Sequence, residues 1–314
     1  MTHTILAENL SKVYDVQKKR PGLAGSLRDL YSPVYEKKVA VKDVSFVIDE
    51  GELVGFIGPN GAGKTTTLKM LSGLLYPSGG SVSVIGHDPW KREYDFLKNI
   101  SLVMGQKNQL WWDLPAIESF NLAKDIYGIS DSSYKKTLNN LVEMLEIGDV
   151  LNVQVRKLSL GQRMKAELVA ALIHSPKILF LDEPTIGLDV VMQQSMRSFL
   201  KQYNQGGDGS IILTSHYMDD VKELCKRIII IDQGSILYDG LLSDVIAKFS
   251  KHKIIEVITP SGSKTHKVLR SKVAEKAAEL LKDPGVVDIN IKEVEIEDVI
   301  RSVFSASKGS DLKG

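Results

Sequence analysis

Residues 58 to 66 read Gly-Pro-Asn-Gly-Ala-Gly-Lys-Thr-Thr, and no other stretch limits the fold as tightly. Gly58, Gly63, Lys64 and Thr65 fill every fixed position of the phosphate-binding pattern G-x-x-x-x-G-K-[ST]. Pro59, Asn60, Gly61 and Ala62 form the span between them, and Thr66 follows. An apolar run, Leu53 to Ile57, comes before, and helical spacing at Leu68, Leu71, Leu74 and Leu75 comes after. That is the strand–loop–helix setting the pattern needs. Glycines let successive backbone N–H groups turn toward one anion, and the helix that follows adds its positive dipole end. Lys64 brings a full charge to the β- and γ-phosphates of a nucleotide, and the Thr65 hydroxyl suits Mg²⁺.

The bulk composition restricts what surrounds this loop. A chain of 314 residues makes one large domain or two smaller ones. Its charge, 40 basic against 39 acidic residues, is +1. Such a balance gives no overall field to recruit nucleic acid, and no nucleic-acid partner is expected. Cys225 is the single cysteine, so no intramolecular disulfide forms. Met1-Thr2-His3-Thr4 lacks the basic-then-apolar start of a signal peptide. No apolar run reaches the roughly 18 residues of a membrane span. A role at a membrane therefore requires another chain to supply the spans.

Along the chain, residues 4 to 14 read as a strand and 39 to 48 as another. Between them, 15 to 38 reads as an insert with a short helix near Leu23 to Tyr31 and an excess of Lys and Arg. Val82 to Ile85 and Ile100 to Met104 read as short strands, and about 107 to 172 as a helical subdomain. Ile178 to Leu181, Ile211 to Leu213 and Ile228 to Ile231 are apolar at every position, as buried parallel strands are. Strands alternating with helices give an α/β fold with a parallel sheet. From 241 to 314 the pattern is strand, strand, helix, strand, helix: a small α+β unit after a nucleotide-binding domain of 1 to 240.

The acidic pair Asp182-Glu183 ends one of the apolar strands, where open parallel sheets hold ligands. Asp182 is placed to hold Mg²⁺, and Glu183 to orient or deprotonate the water that attacks a γ-phosphate. Leu158-Ser159-Leu160-Gly161-Gln162 opens a helix upstream of that strand. This run resembles the LSGGQ signature of ATP-binding cassette ATPases, at the order and spacing of that family. Gln106 resembles the family's linker glutamine, Gly187-Leu188-Asp189 its loop after the acidic strand, His216 its switch histidine and Tyr14 its adenine-stacking aromatic. The resemblance covers residues 4 to about 240. Leu160 departs from it, standing where the family usually has glycine.

The resemblance implies a RecA-like P-loop NTPase core, an antiparallel β subdomain and a helical signature subdomain. It also implies two such domains paired head to tail, the partner being a second copy or a paralogue. ATP held by residues 58 to 66 of one is then closed over by Ser159, Gly161 and Gln162 of the other, with Asp189 at the interface. Gln106 senses Mg²⁺ and water, and His216 contacts the γ-phosphate. The tail resembles that of bacterial exporter ATPases of the drug, lipid and polysaccharide class. A multi-span membrane permease is the implied partner, at the cytoplasmic face of the inner membrane. Two other readings have the same motifs: an importer ATPase, and a soluble mechanoenzyme acting on ribosomes or DNA.

Trp111 and Trp112 read equally well as core or as an anchor for the permease. Cys225 reads as inert packing, and His87 as part of a surface turn. The histidines and the cysteine show no zinc spacing.

Overall fold

Ile178 to Leu181 and Ile228 to Ile231 are each at most 1% exposed, because both faces of their sheet are covered. The computed structural model describes residues 3–22, 29, 31–105, 107–207, 209–249, 252–294 and 296–310. The chain divides into two compact units, 1–239 and 240–314.

The first unit begins with β1 (His3–Gln17) and β2 (Tyr35–Asp49), a long antiparallel pair. β3 (Leu53–Ile57) leads into α1 (Lys64–Leu71), and β4 (Gly79–Val84) joins β1 to complete a three-stranded sheet in the order β2-β1-β4. After α2 (Tyr94–Lys98) and β5 (Ile100–Met104) come three helices. These are α3 (Ala116–Ile126), α4 (Asp131–Leu145) and α5 (Leu160–Leu172), and they make the helical subdomain. β6 (Ile178–Asp182), α6 (Val190–Gln205), β7 (Ser210–Thr214), α7 (Met218–Leu224), β8 (Arg227–Asp232) and β9 (Ser235–Leu241) follow. The main sheet has the order β5-β6-β7-β3-β8-β9, and its first five strands are parallel. Leu10, Phe46 and Val84 of the smaller sheet share one apolar core with Phe56, Leu68 and Phe180. That shared core fixes the hairpin sheet against the phosphate loop.

The first hairpin corrects the sequence reading. Strand pairing continues to Gln17↔Tyr35, and the Lys18 N–H donates to Val34 O at 2.8 Å. Residues 15–17 and 35–38 are therefore strand rather than insert. Their side chains are exposed on both faces, so the alternation that marks a half-buried strand is missing from the sequence. Most of the helix expected near Leu23 to Tyr31 lies outside the described residues, including Leu23, Leu27 and Leu30. Buried Asp29 is helical and accepts a hydrogen bond from the Arg20 N–H at 2.8 Å. A second difference is that α1 stops at Leu71, so Leu74 and Leu75 lie past its end.

The second unit contains α8 (Leu242–Phe249), β10 (His252–Thr259), β11 (Gly262–Leu269), α9 (Val273–Leu280), β12 (Asp288–Glu293) and α10 (Ile296–Ser310). Its sheet is antiparallel with β10 in the centre. Ile255 and Val257 of β10 and Val299, Ile300 and Val303 of α10 are buried. Among the described residues no helix is long and apolar enough to cross a membrane.

Candidate functional site: a phosphate loop beside an acidic strand

The sheet order sets the C-terminal ends of β6, β7 and β3 side by side. Three chemically distinct loops therefore meet: Gly58–Thr66 after β3, Asp182-Glu183 at the end of β6, and Thr214-Ser215-His216 at the end of β7.

The phosphate loop needs its glycines for two reasons. A Cβ on Gly58 would lie 2.1 Å from Ile231 O, so no larger residue fits against β8. Gly63 has φ 112° where it starts α1, a conformation that suits glycine. Lys64 is only 5% exposed. Its ammonium donates to Gly58 O at 2.7 Å and Pro59 O at 3.1 Å, curling back along the loop. Burial pulls the Lys64 pKa down, and the nearby Glu183 and Asp182 carboxylates oppose that pull.

Asp182 accepts from the Thr65 hydroxyl at 2.8 Å and from the Thr214 hydroxyl at 2.7 Å. Loop, acidic strand and β7 thus converge on one carboxylate. Glu183 has φ 55°, a left-handed conformation that costs a non-glycine residue energy and recurs at functional sites. Its N–H is held by Thr214, at 3.0 Å from Oγ1 and 3.1 Å from the carbonyl oxygen. Its carboxylate Oε1 lies 2.6 Å from His216 Nε2. Gln106 lies outside the described residues, but the Gly105 N–H donates to Asp182 O at 2.9 Å.

Ser159, Gly161, Gln162 and Asp189 form a second cluster. Ser159 caps α5: its hydroxyl accepts from the Gln162 N–H at 3.2 Å, while its own N–H donates to Gln162 Oε1 at 3.0 Å. A hydroxyl that accepts one hydrogen bond can still donate its proton to a phosphate. Asp189 caps α6 by accepting from the Met192 N–H at 2.8 Å, and the Met192 side chain packs against Gly161. Leu160 packs on Gly187, so the signature and the loop after the acidic strand touch within one chain. Tyr14 sits elsewhere, on β1 opposite Lys38, with Lys12 Nζ 5.3 Å from its ring centroid.

A groove of about 530 Å³ opens beside Leu160, lined by Lys107, Trp112, Arg163 and Glu167 among others. Trp111 and Trp112 are 49% and 47% exposed, which removes the core reading. The Arg163 guanidinium stands 5.4 Å from the Trp112 ring centroid. Glu167 is buried on α5 and accepts from the N–H groups of Gln109 (2.7 Å) and Leu110 (3.3 Å). Burial pushes its pKa up, against the pull of those two donors. Cys225 is buried, and burial drives its thiol pKa upward, as suits an inert thiol.

Sequence reasoning missed Thr214, Glu167 and Asp220. Thr214 showed only as the polar end of an apolar strand. Glu167 and Asp220 look like ordinary surface acids until their backbones are placed.

The family model described as ABC transporter matches residues 41–186. The chain is 36% identical over 212 residues to the ABC transporter ATP-binding protein NatA of Bacillus subtilis, covering 67% of this chain and 86% of that protein. The chain belongs to the ABC transporter ATP-binding proteins. It is also 35% identical over 228 residues to the linearmycin resistance ATP-binding protein LnrL of the same organism, covering 73% and 72%. A solved ATP-binding subunit of an ABC transporter aligns with TM-score 0.64 and 25% identity over 78% of this chain and 93% of that one. The ABC ATPase MJ0796, solved as a dimer in a post-hydrolysis state with ADP and Pi, has the same fold: TM-score 0.62 at 24% identity, covering 76% and 98%. This chain is accordingly an ABC ATPase that binds ATP, with the P-loop NTPase fold its sequence implied.

Proposed function

We propose that this ABC ATPase powers an exporter whose membrane-spanning permease is a separate chain. The observation that carries the chemistry is the 2.6 Å contact between Glu183 and His216, beside the phosphate loop. ATP lies along Gly58 to Thr66, where the loop N–H groups meet phosphate oxygens and the Lys64 ammonium turns to them from Gly58 O and Pro59 O. Thr65 and Asp182 present adjacent hard oxygens, a donor set that fits Mg²⁺. Bound there, the ion would neutralise charge on the β- and γ-phosphates. Glu183 takes the proton of the attacking water, and His216 holds Glu183 and the γ-phosphate in line. Tyr14 stacks on the adenine.

Ser159, Gly161 and Gln162 stand at the N-terminus of α5, a natural anion site. They close over the nucleotide of a second copy or a paralogue, with Asp189 at the seam. Closure with ATP and opening after hydrolysis gives the two states that drive a permease. The exposed Trp111 and Trp112 beside the groove suit an interface anchor for that permease. Similarity to a linearmycin resistance protein supports export. On this reading the chain works at the cytoplasmic face of the inner membrane, as a peripheral subunit.

The test is affinity purification from detergent-solubilised native membranes, with partners identified. A multi-span partner whose presence raises ATP turnover is expected. Ribosomal or DNA-associated partners, with none from the membrane, would overturn this reading.

A further inference from the structure

We propose that Asp220 is a positioning residue for hydrolysis, locking the Glu183 and His216 loops to one another. Glu183 and His216 arrive on different strands, β6 and β7, and the 2.6 Å contact between them needs both loops in register. Asp220, on α7, is 0% exposed. Its Oδ2 accepts from two hydroxyls, Thr185 Oγ1 and Ser215 Oγ, at 2.6 Å each. Thr185 is two residues after Glu183, and Ser215 is the residue before His216. One carboxylate oxygen therefore ties together the two loops that carry the reacting pair.

The other oxygen is tied as firmly. Asp220 Oδ1 accepts from Arg197 Nη1 at 3.0 Å, and Arg197, 6% exposed, also bonds Gln194 at 2.7 Å and pairs with Glu223 at 3.3 Å. Arg197 and Gln194 lie on α6, which starts at the Asp189 cap. Ser215 Oγ further accepts from the Tyr217 N–H at 3.0 Å, bending the chain around His216. A buried charge held by this many donors stays fixed. Thr214, the residue before Ser215, bonds both Asp182 and the Glu183 N–H. The β6 and β7 loop ends are thus tied together at two places, through Thr214 and through Asp220.

This inference rests on Glu183 and His216 being the hydrolytic pair. Replacing Asp220 would strand the buried Arg197 charge and put folding at risk, so the hydroxyls are the better targets. Thr185→Val and Ser215→Ala each remove one tie to Oδ2 and no charge. Each is expected to lower kcat for ATP by about 10-fold, the lower end of what loss of an outer positioning partner does. KM for ATP, nucleotide affinity and Tm should stay near wild type, a split that a purely structural role would not give. Thr185→Ser and Ser215→Thr, which restore the hydroxyl, should recover turnover. Glu183→Gln is measured alongside. If it is inert while Thr185→Val and Ser215→Ala turn over normally, or lose affinity and Tm together with kcat, the positioning role is overturned. If Glu183→Gln itself turns over normally, the hydrolytic pair falls, and this inference with it.

Discussion

His216 Nε2 lies 2.6 Å from Glu183 Oε1, although the two residues follow different strands of the parallel sheet. The contact turns two loops into one chemical unit. It predicts that His216→Ala binds ATP as the wild type does but hydrolyses it about 100-fold more slowly, the usual scale for losing one acid–base partner. Turnover and nucleotide affinity measured on the same preparation check this.

Lys64 predicts a different outcome. Its ammonium already points along the phosphate loop, on Gly58 O and Pro59 O. Lys64→Ala should weaken ATP binding by about 10-fold or more, as expected when a charge-assisted hydrogen bond is lost. Titration with a fluorescent ATP analogue reads this directly.

Gly58→Ala tests the fit of the loop against β8. The new methyl would meet Ile231 O at 2.1 Å, which backbone movement must relieve. A loss of about 1–3 kcal/mol in stability is expected from such overpacking, with weaker nucleotide binding. Denaturant unfolding measures the first and the same titration the second.

Glu167 gives a pH-dependent prediction. Burial raises its pKa in the folded chain, so the folded state favours the protonated form more than the unfolded state does. Stability from this group is present below the unfolded carboxyl pKa and is lost as pH rises through the folded value. Glu167→Gln mimics the protonated form, and its Tm relative to wild type should therefore be higher at pH 8 than at pH 5. Thermal unfolding at the two pH values checks the sign.

The exposed Trp111 and Trp112 predict uncoupling. Their double replacement by Ala should leave the isolated chain folded and hydrolysing ATP while permease-stimulated turnover falls. Comparing turnover with and without the permease separates the two.

Five strands of the main sheet were legible because each centres on an apolar run, and the phosphate loop because Gly58, Gly63, Lys64 and Thr65 sit at fixed spacing; β9 (Ser235–Leu241) was not, with Ser235, Asp239 and Gly240 in its short run. The reach of β1 and β2 was hidden, since residues 15–17 and 35–38 bury neither face. Asp182 and Glu183 could be found from the strand before them. Asp220 could not: it follows Asp219 on a short helix, and only the fold brings it under Thr185 and Ser215. The Trp pair was ambiguous for a related reason, because an indole reads as core or as interface until its surroundings are known.

The most direct measurement is ATP turnover by purified Glu183→Gln beside wild type, with bound nucleotide quantified in both. The account predicts that the variant retains ATP and produces almost no ADP, while the wild type cycles. ADP release at the wild-type rate from Glu183→Gln would contradict the central claim that this carboxylate, held by His216, drives hydrolysis.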